Sequence, residues 1–122
     1  MYRSMMRVIV KDSVKALRFY QKAFDAAIIR NDPGEDETTP HTEIDVYGQV
    51  LAVSELDENA AVTGNTMQFG LDFGEGNEAT VQKIYDALKE GANVRCPIGP
   101  VDWSPLMFEL IDKYGVDWCV FV

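Results

Sequence analysis

The sequence predicts an α+β fold in which two tandem βαβββ modules form curved mixed sheets around a cleft, with the helices outside. Three observations predict it. Each half of the chain contains one amphipathic helical segment, each helix is followed by three strand-like runs, and a glycine turn precedes the last strand of each half. One module alone leaves a sheet face exposed, whereas two modules side by side can share a ligand cleft.

The first half opens with a short apolar strand at Val8-Ile9-Val10, followed by a helix over residues 13–24. Asp12 or Ser13 is expected to cap this helix, because a side-chain oxygen can accept from the amides of the first turn. Four residues spaced three or four apart predict its apolar face: Val14, Leu17, Tyr20 and Phe24. The helix should end near Asp25, since aspartate tolerates the left-handed conformation better than most residues.

Three strands complete the first half, at residues 27–29, 41–46 and 50–53, with Gly48 in the turn between the last two. The alternation in 41–46 predicts that Ile44 and Val46 share one face and that Glu43 and Asp45 share the other.

The second half repeats this order, with a strand at 67–73, a cap at Asn77 and a helix over 78–90. Gly91 should end the helix in a left-handed conformation. The helix has the strongest apolar periodicity in the chain, at Val81, Ile84, Tyr85 and Leu88. Three strands follow it, at residues 94–98, 106–111 and 116–122. We interpret the two halves as an internal duplication in which Asp72 is equivalent to Asp12 and Gly115 is equivalent to Gly48.

The length of 122 residues predicts one domain, with module one at about 1–56, a linker at about 57–64 and module two at about 65–122. No apolar run approaches the roughly 20 residues that span a bilayer, and no secretory segment opens the chain. We therefore expect a cytoplasmic protein that does not contact membranes. Cys96 and Cys119 stand in apolar strand contexts, which indicates free buried thiols, with a single disulfide as the alternative. Neither belongs to a CxxC pair, so no structural zinc site is expected.

The chain carries 20 acidic and 11 basic residues, for a formal net charge of −9. Its overall field would repel DNA or RNA, so we expect no nucleic-acid partner. Four acids cluster in a Pro- and Gly-containing segment: Asp32, Glu35, Asp36 and Glu37. They lack the spacing and the distal glutamate of a calcium loop, and the segment is interpreted as a solvated loop.

Four segments carry a resemblance to a known family, and with the strand order they span nearly the whole chain: Lys15–Phe24, the strand opening at His41, Tyr85–Gly91 and Asp112–Trp118. They are similar to the glyoxalase/bleomycin-resistance/dioxygenase (vicinal oxygen chelate) superfamily. The Ala-x-x-Phe-Tyr-x-x-x-Phe helix and the region from Trp103 to Trp118 look most like its PhnB-like branch. Asp25 departs from the family, which commonly has glycine there.

The resemblance also implies where metal-using members place four ligands, which are His, Gln or Glu. Carried onto this chain, these positions are Met5, Ala52, Asn65 or Thr66, and Cys119, and a shift of one residue would bring in Gln68 or Gln49. Methionine and cysteine favour soft metals, and alanine offers no donor. The sequence therefore predicts no metal and no cofactor.

His41 is the only histidine. It is either a general base or lone ligand, or a half-exposed strand residue bonded to a neighbour, and the second interpretation is favoured because no other ligand accompanies it. Trp118 is expected in the core, while Trp103 is either an aromatic lid or a packing plug. Cys119 lacks a nearby activating group and is expected to be structural rather than nucleophilic. Either Glu55 or Glu109 is a candidate base.

The leading hypothesis is a metal-free, PhnB-like homodimer that binds a small molecule in its cleft. The candidate ligand-binding residues are Met5, His41, Ala52, Gln68, Trp103 and Cys119. One alternative is a metal-dependent lyase, isomerase or dioxygenase of the glyoxalase type, and another is an antibiotic-sequestering resistance protein. No glycine-rich cofactor loop supports methyl transfer.

Overall fold

The computed structural model describes residues 1–32, 41–57 and 66–122. The chain divides into two compact units, Met1–Val62 and Thr63–Val122. Most of the predicted acidic loop, residues 58–64 of the predicted linker, and Asn65 lie outside the described residues. The predicted α+β class with two βαβββ modules is confirmed.

The first unit is a mixed four-stranded sheet with one helix packed on it. Its elements in chain order are β1 (Met6–Val10), α1 (Ser13–Phe24), β2 (Ile28–Asp32), β3 (His41–Val46) and β4 (Gln49–Glu55). The strand order is β1-β4-β3-β2, in which β1 runs parallel to β4 and the other neighbours are antiparallel. The parallel pair requires a crossover, which this unit makes through α1 and the two strands after it.

The second unit repeats this arrangement. Its elements are β5 (Phe69–Asp72), α2 (Glu78–Leu88), β6 (Asn93–Val101), β7 (Ser104–Ile111) and β8 (Asp117–Phe121). The strand order is β5-β8-β7-β6, and again only the first pair is parallel. Gly48 and Gly115 stand in equivalent turns before β4 and β8, with positive φ angles of 91° and 88°.

Helix α1 packs its apolar face on β1, β3 and β4. Tyr20 and Phe24 are buried there, as predicted, but Val14 is 54% exposed and the prediction that it faces the core is wrong. The helix ends at Asp25, whose left-handed conformation (φ 50°, ψ 47°) lets its amide donate to the carbonyl of Gln21. The predicted left-handed end at Asp25 is therefore confirmed.

Asp12 and Asn77 occupy the predicted N-cap positions, but the side-chain capping bonds predicted there are wrong at both helices. Asp12 takes a left-handed conformation and its side chain accepts no capping bond; the amide of Ser13 instead donates to Glu55 Oε2 at 3.3 Å. Asn77 also makes no side-chain cap, and its Nδ2 donates to the carbonyl of Phe73 at 2.6 Å. An amide at a helix N-terminus can donate to any suitably placed carboxylate, so a residue 42 positions along the chain serves as well as a local one.

Helix α2 buries Val81, Ile84 and Leu88, and the ring of Tyr85 lies 5.0 Å from that of Phe108 on β7. Gly91 has the predicted positive φ, 71°, but the helix ends earlier than predicted, at Leu88, and its cap residue Lys89 is right-handed. Within residues 1–32, 41–57 and 66–122, neither helix combines the length and apolar character that crossing a bilayer requires.

Strand pairing corrects one proposed equivalence between the halves. Ile9 is paired with Ser54 on β4, and Asp72 is paired with Phe121 on β8. Ser54 and Phe121 stand the same number of residues after Gly48 and Gly115. Asp72 is therefore the counterpart of Ile9, not of Asp12.

Candidate functional site

The first sheet has an apolar face toward α1 and a second face that carries charged and polar residues. Side chains alternate along each strand, so the residues that flank the buried Val8, Ile44 and Val53 point away from the helix. We call this second side the polar face of the first sheet, and its members used below are Arg7, His41, Glu43, Ala52 and Ser54. Register places Arg7, Ala52 and Glu43 in one row across β1, β4 and β3.

Glu43 is the buried charge at the centre of the polar face. Its side chain is 2% exposed, and both of its carboxylate oxygens accept from Arg3, at 2.7 Å from Nη1 and 2.9 Å from Nη2. Such a bidentate pair is among the strongest charge-assisted hydrogen bonds. The bond from Arg3, followed by one from His41, lowers the pKa of Glu43 to about 2, so the carboxylate is ionised near neutral pH.

His41 lies between Glu43 and Ser54. Its Nε2 is 3.1 Å from Glu43 Oε1, and its Nδ1 is 3.3 Å from Ser54 Oγ. Because an ionised carboxylate only accepts, Nε2 carries the proton in the neutral ring and Nδ1 accepts from the Ser54 hydroxyl. Ser54 Oγ in turn accepts from Arg7 Nε at 3.2 Å. A continuous chain of hydrogen bonds therefore runs from Arg7 through Ser54 and His41 to Glu43.

This series of hydrogen-bonded groups resembles a serine–histidine–carboxylate triad in its order. The arrangement is nevertheless better suited to binding than to nucleophilic catalysis. Ser54 is buried, and its oxygen already accepts from Arg7. A nucleophile must be open to an approaching carbonyl and must have donors placed to stabilise the resulting oxyanion. The cluster instead fixes the orientation of Arg7 and His41.

The second sheet has a corresponding polar face, formed by Gln68, Arg95, Glu109, Asp117 and Cys119. The amide Nε2 of Gln68 donates to Asp117 Oδ1 at 3.0 Å and to Glu109 Oε1 at 3.4 Å. Arg95 also donates to Asp117. Glu109 pairs with Cys119 across β7 and β8, as Glu43 pairs with Ala52 across β3 and β4. Each sheet therefore carries one carboxylate beside a position that the family resemblance assigns to a ligand.

The thiol of Cys119 is unsuited to nucleophilic chemistry. Burial, and then the charge of Glu109, raise its pKa to about 11. Since the thiolate is the reactive form, the protonated thiol is inert near neutral pH.

Both cysteines are free, Cys119 buried and Cys96 only half-buried, so the prediction of burial is wrong for Cys96.

The candidate residues separate into two groups, one on each sheet. In the first unit, His41 and Ala52 lie on neighbouring strands, and Met5 directly precedes β1. In the second, Gln68 and Cys119 are brought together around Glu109. Trp103 lies in the turn between β6 and β7, is 59% exposed, and places its ring edge-on against Phe121 at 4.9 Å.

Strand register also revises which residue matches Met5. Met6 pairs with Leu51, and Phe69 pairs with Trp118, each three residues after its turn glycine. The residues directly before them, Met5 and Gln68, are therefore equivalent. Gln68, and not Asn65 or Thr66, is the structural counterpart of Met5.

With this revision, the family resemblance assigns ligand positions to Met5 and Ala52 in the first unit and to Gln68 and Cys119 in the second, and these side chains fit a hard divalent ion poorly. A thioether, a methyl group, an amide engaged by two carboxylates and a protonated thiol do not make an oxygen- and imidazole-rich donor set. In the described part of the chain, no group of three or more His, Cys, Asp or Glu side chains is arranged to hold a metal.

Sequence reasoning did not identify the core of the cluster in the first sheet. It placed Glu43 with Asp45 on the strand face opposite Ile44 and Val46, and it did not single out Arg3, Arg7 or Ser54. The available signal was His41-x-Glu43, two polar residues on the same side of a half-buried strand. The partner arginines stand 34 or more residues away in sequence, and only strand pairing brings them near.

Comparison with known proteins agrees with the architecture. Protein PA1353 from Pseudomonas aeruginosa has a similar structure, with a TM-score of 0.80 at 18% identity over 99% of this chain and 97% of that chain. A PhnB protein from Bacillus cereus gives 0.76 at 19% identity over 98% of each chain. The fosfomycin resistance protein FosX from Listeria monocytogenes gives 0.72 at 16% identity over 98% of this chain and 91% of that one.

No curated protein sequence matches the chain. The model of one protein family matches residues 4–120, which is nearly the full length. That match agrees with the paired βαβββ units and the register described above. The chain belongs to the Glyoxalase/Bleomycin resistance protein/Dioxygenase superfamily.

Proposed function

We propose that this chain is a PhnB-like member of the superfamily that binds a small molecule on the polar face of the first sheet, without a hard divalent metal. The observation that carries the proposal is the cluster of Arg3, Glu43, His41, Ser54 and Arg7. Its groups hold one another in fixed orientations, as recognition of a small polar ligand requires. Binding sites of this kind combine a few fixed polar groups with apolar surroundings.

Metal-dependent catalysis of the glyoxalase type is the competing function. A FosX mutant from Listeria monocytogenes has been crystallised with Mn(II) and 1S,2S-dihydroxypropylphosphonic acid, which concerns that protein and not this one. In this chain, Ala52 has no donor atom and the thiol of Cys119 has a raised pKa. The donor set therefore favours binding over a metal-assisted reaction, and an antibiotic-sequestering role would be one form of such binding.

Nuclear magnetic resonance tests the proposed location directly. We expect a screen of small polar fragments against the ¹⁵N-labelled chain to yield ligands whose saturable shifts cluster at Arg7, His41 and Ser54. Glu43→Gln should weaken these ligands by about tenfold, because the cluster loses its fixed geometry. Ligands whose shifts fall only on residues of α1 or α2, with no response at the polar face, would contradict the proposal.

We also propose that the chain is a homodimer. Among the described strands, β2 lies at one edge of the first sheet, all five of its residues are exposed, and two of them, Ile28 and Ile29, are apolar. An edge strand with exposed apolar side chains favours pairing with another chain. Light scattering should give about twice the chain mass of 13.7 kDa. A monomer mass that does not change with concentration would refute the dimer.

A further inference from the structure

Arg7 differs from Arg3 in how its terminal nitrogens are used: both of those of Arg3 donate to Glu43, whereas the bond that Arg7 makes within the cluster comes from Nε alone. Its Nε donates to Ser54 Oγ at 3.2 Å. Among residues 1–32, 41–57 and 66–122, no side chain pairs with its two terminal nitrogens. The Nε bond fixes the plane of the guanidinium, and the end formed by Nη1 and Nη2 is left to bind a ligand. That end matches the two oxygens of a carboxylate or phosphonate.

The charge of Arg7 has no counter-ion in the cluster. Arg3 and Glu43 neutralise each other through two hydrogen bonds. The carboxylates of Glu55 and Asp45 accept from the backbone amides of Ser13 and Gly48, and within the described residues neither forms an ion pair with Arg7. A positive charge therefore stands on this face of a chain whose formal net charge is −9. An anion at Arg7 would be attracted locally although the overall field is negative.

Apolar side chains flank Arg7 along β1. Ile9 lies on the same side of β1, two residues after Arg7, and Met5 directly precedes the strand, two residues before Arg7; they are 51% and 38% exposed. A cationic fork between two exposed apolar side chains suits a ligand that has an anionic head and an apolar body. Contact with these apolar side chains favours such a ligand over a fully hydrated inorganic ion.

We propose that Arg7 binds the oxyanion of a small organic acid, a carboxylate or a phosphonate, while Met5 and Ile9 contact its apolar part. The inference rests on the proposed function, because it names the class of ligand for that same face. Ser54 and His41 position Arg7 through the Nε bond and do not contact the oxyanion themselves.

The test uses three probes of similar size that differ in charge: benzoate, phenylphosphonate and neutral benzamide. Each is titrated into the ¹⁵N-labelled chain, following the backbone amides of β1 and the Arg7 Nε–H signal. We expect saturable shifts with at least one of the two anions and none with benzamide. Arg7→Gln should weaken anion binding by about tenfold or more. The matched control, Arg18→Gln on the exposed side of α1, makes the same charge change and should alter the affinity by less than about twofold.

Arg7→Lys separates charge from geometry, since lysine keeps the charge but lacks the planar fork. It should bind the anions with intermediate affinity, and it serves as the second variant if Arg7→Gln does not fold. Equal binding of benzamide, equal losses in the Arg7 and Arg18 variants, or no response to either anion would each overturn the inference. Binding of uncharged fragments at the same face would leave the proposed function standing, so the two failures are distinguishable.

Discussion

Replacing Trp118 with alanine is expected to destabilise the protein by about 3–5 kcal/mol, the range found when large aromatic side chains are removed from a core. Trp118 is fully buried on β8, where its ring lies 5.3 Å from that of Phe69. Its indole Nε1 donates to Asp112 Oδ2 at 2.9 Å. The other oxygen of Asp112 accepts from the amides of Tyr114 and Val116, so one carboxylate joins the turn before β8 to the core.

Chemical denaturation measures this effect, and two further variants divide it into parts. Trp118→Phe keeps most of the apolar contact but removes the donor to Asp112, which should cost about 1–3 kcal/mol. Trp103→Ala is the matched control, because the ring contact of this exposed tryptophan among the described residues is with Phe121. This substitution should lower the free energy of unfolding by about 1 kcal/mol or less. Equal losses for Trp103 and Trp118 would contradict the assignment of Trp118 to the core.

Glu43→Gln is expected to cost about 1–3 kcal/mol, because Arg3 and His41 lose the anion that they share. Arg3 is partly exposed and water can replace its partner, which keeps the loss below that of a fully buried ion pair. Glu90→Gln makes the same charge change at an exposed position and should cost no more than about 0.5 kcal/mol. Urea unfolding at neutral pH compares the two.

Acid titration of stability identifies the same group. The pKa of Glu43 falls from 4.5 to about 2 on folding, so its contribution to stability is present above about pH 4.5 and is lost as the pH falls through 2. Between these limits, the stability of the native sequence should decline more steeply than that of Glu43→Gln. Parallel curves for the two proteins would show that Glu43 does not gain its partners on folding.

Local signals in the sequence predict the order of elements well. The periodicity of α2, the left-handed positions at Asp25 and Gly91, and the turn glycines at 48 and 115 depend on residues within a few positions of one another. These features appear where they are predicted. The prediction that Val14 is buried is wrong because this residue lies at the exposed margin of the apolar face of α1. Spacing of three and four residues does not distinguish the margin of such a face from its centre.

Features that depend on distant partners could not be predicted in this way. Glu43 has a polar side chain on an alternating strand, and only the pairing with Arg3 explains its burial. The carboxylate that accepts from the first turn of α1 belongs to Glu55 on β4, which is separated from the helix by two strands. The equivalence of Met5 and Gln68 requires the register of β1 and β5 with their neighbours, because loop lengths differ between the halves.

Elemental analysis of protein purified without affinity-tag metal tests the central claim most directly. Met5, Ala52, Gln68 and Cys119 do not provide the several oxygen or imidazole donors that a hard or borderline divalent ion requires. We predict far less than one metal ion per chain, and no rise in melting temperature on adding Zn, Ni or Mn, because an ion that binds only the native state must stabilise it. A stoichiometric metal that raises the melting temperature, and whose binding is lost in His41→Ala, would contradict the account and favour a metal-dependent enzyme.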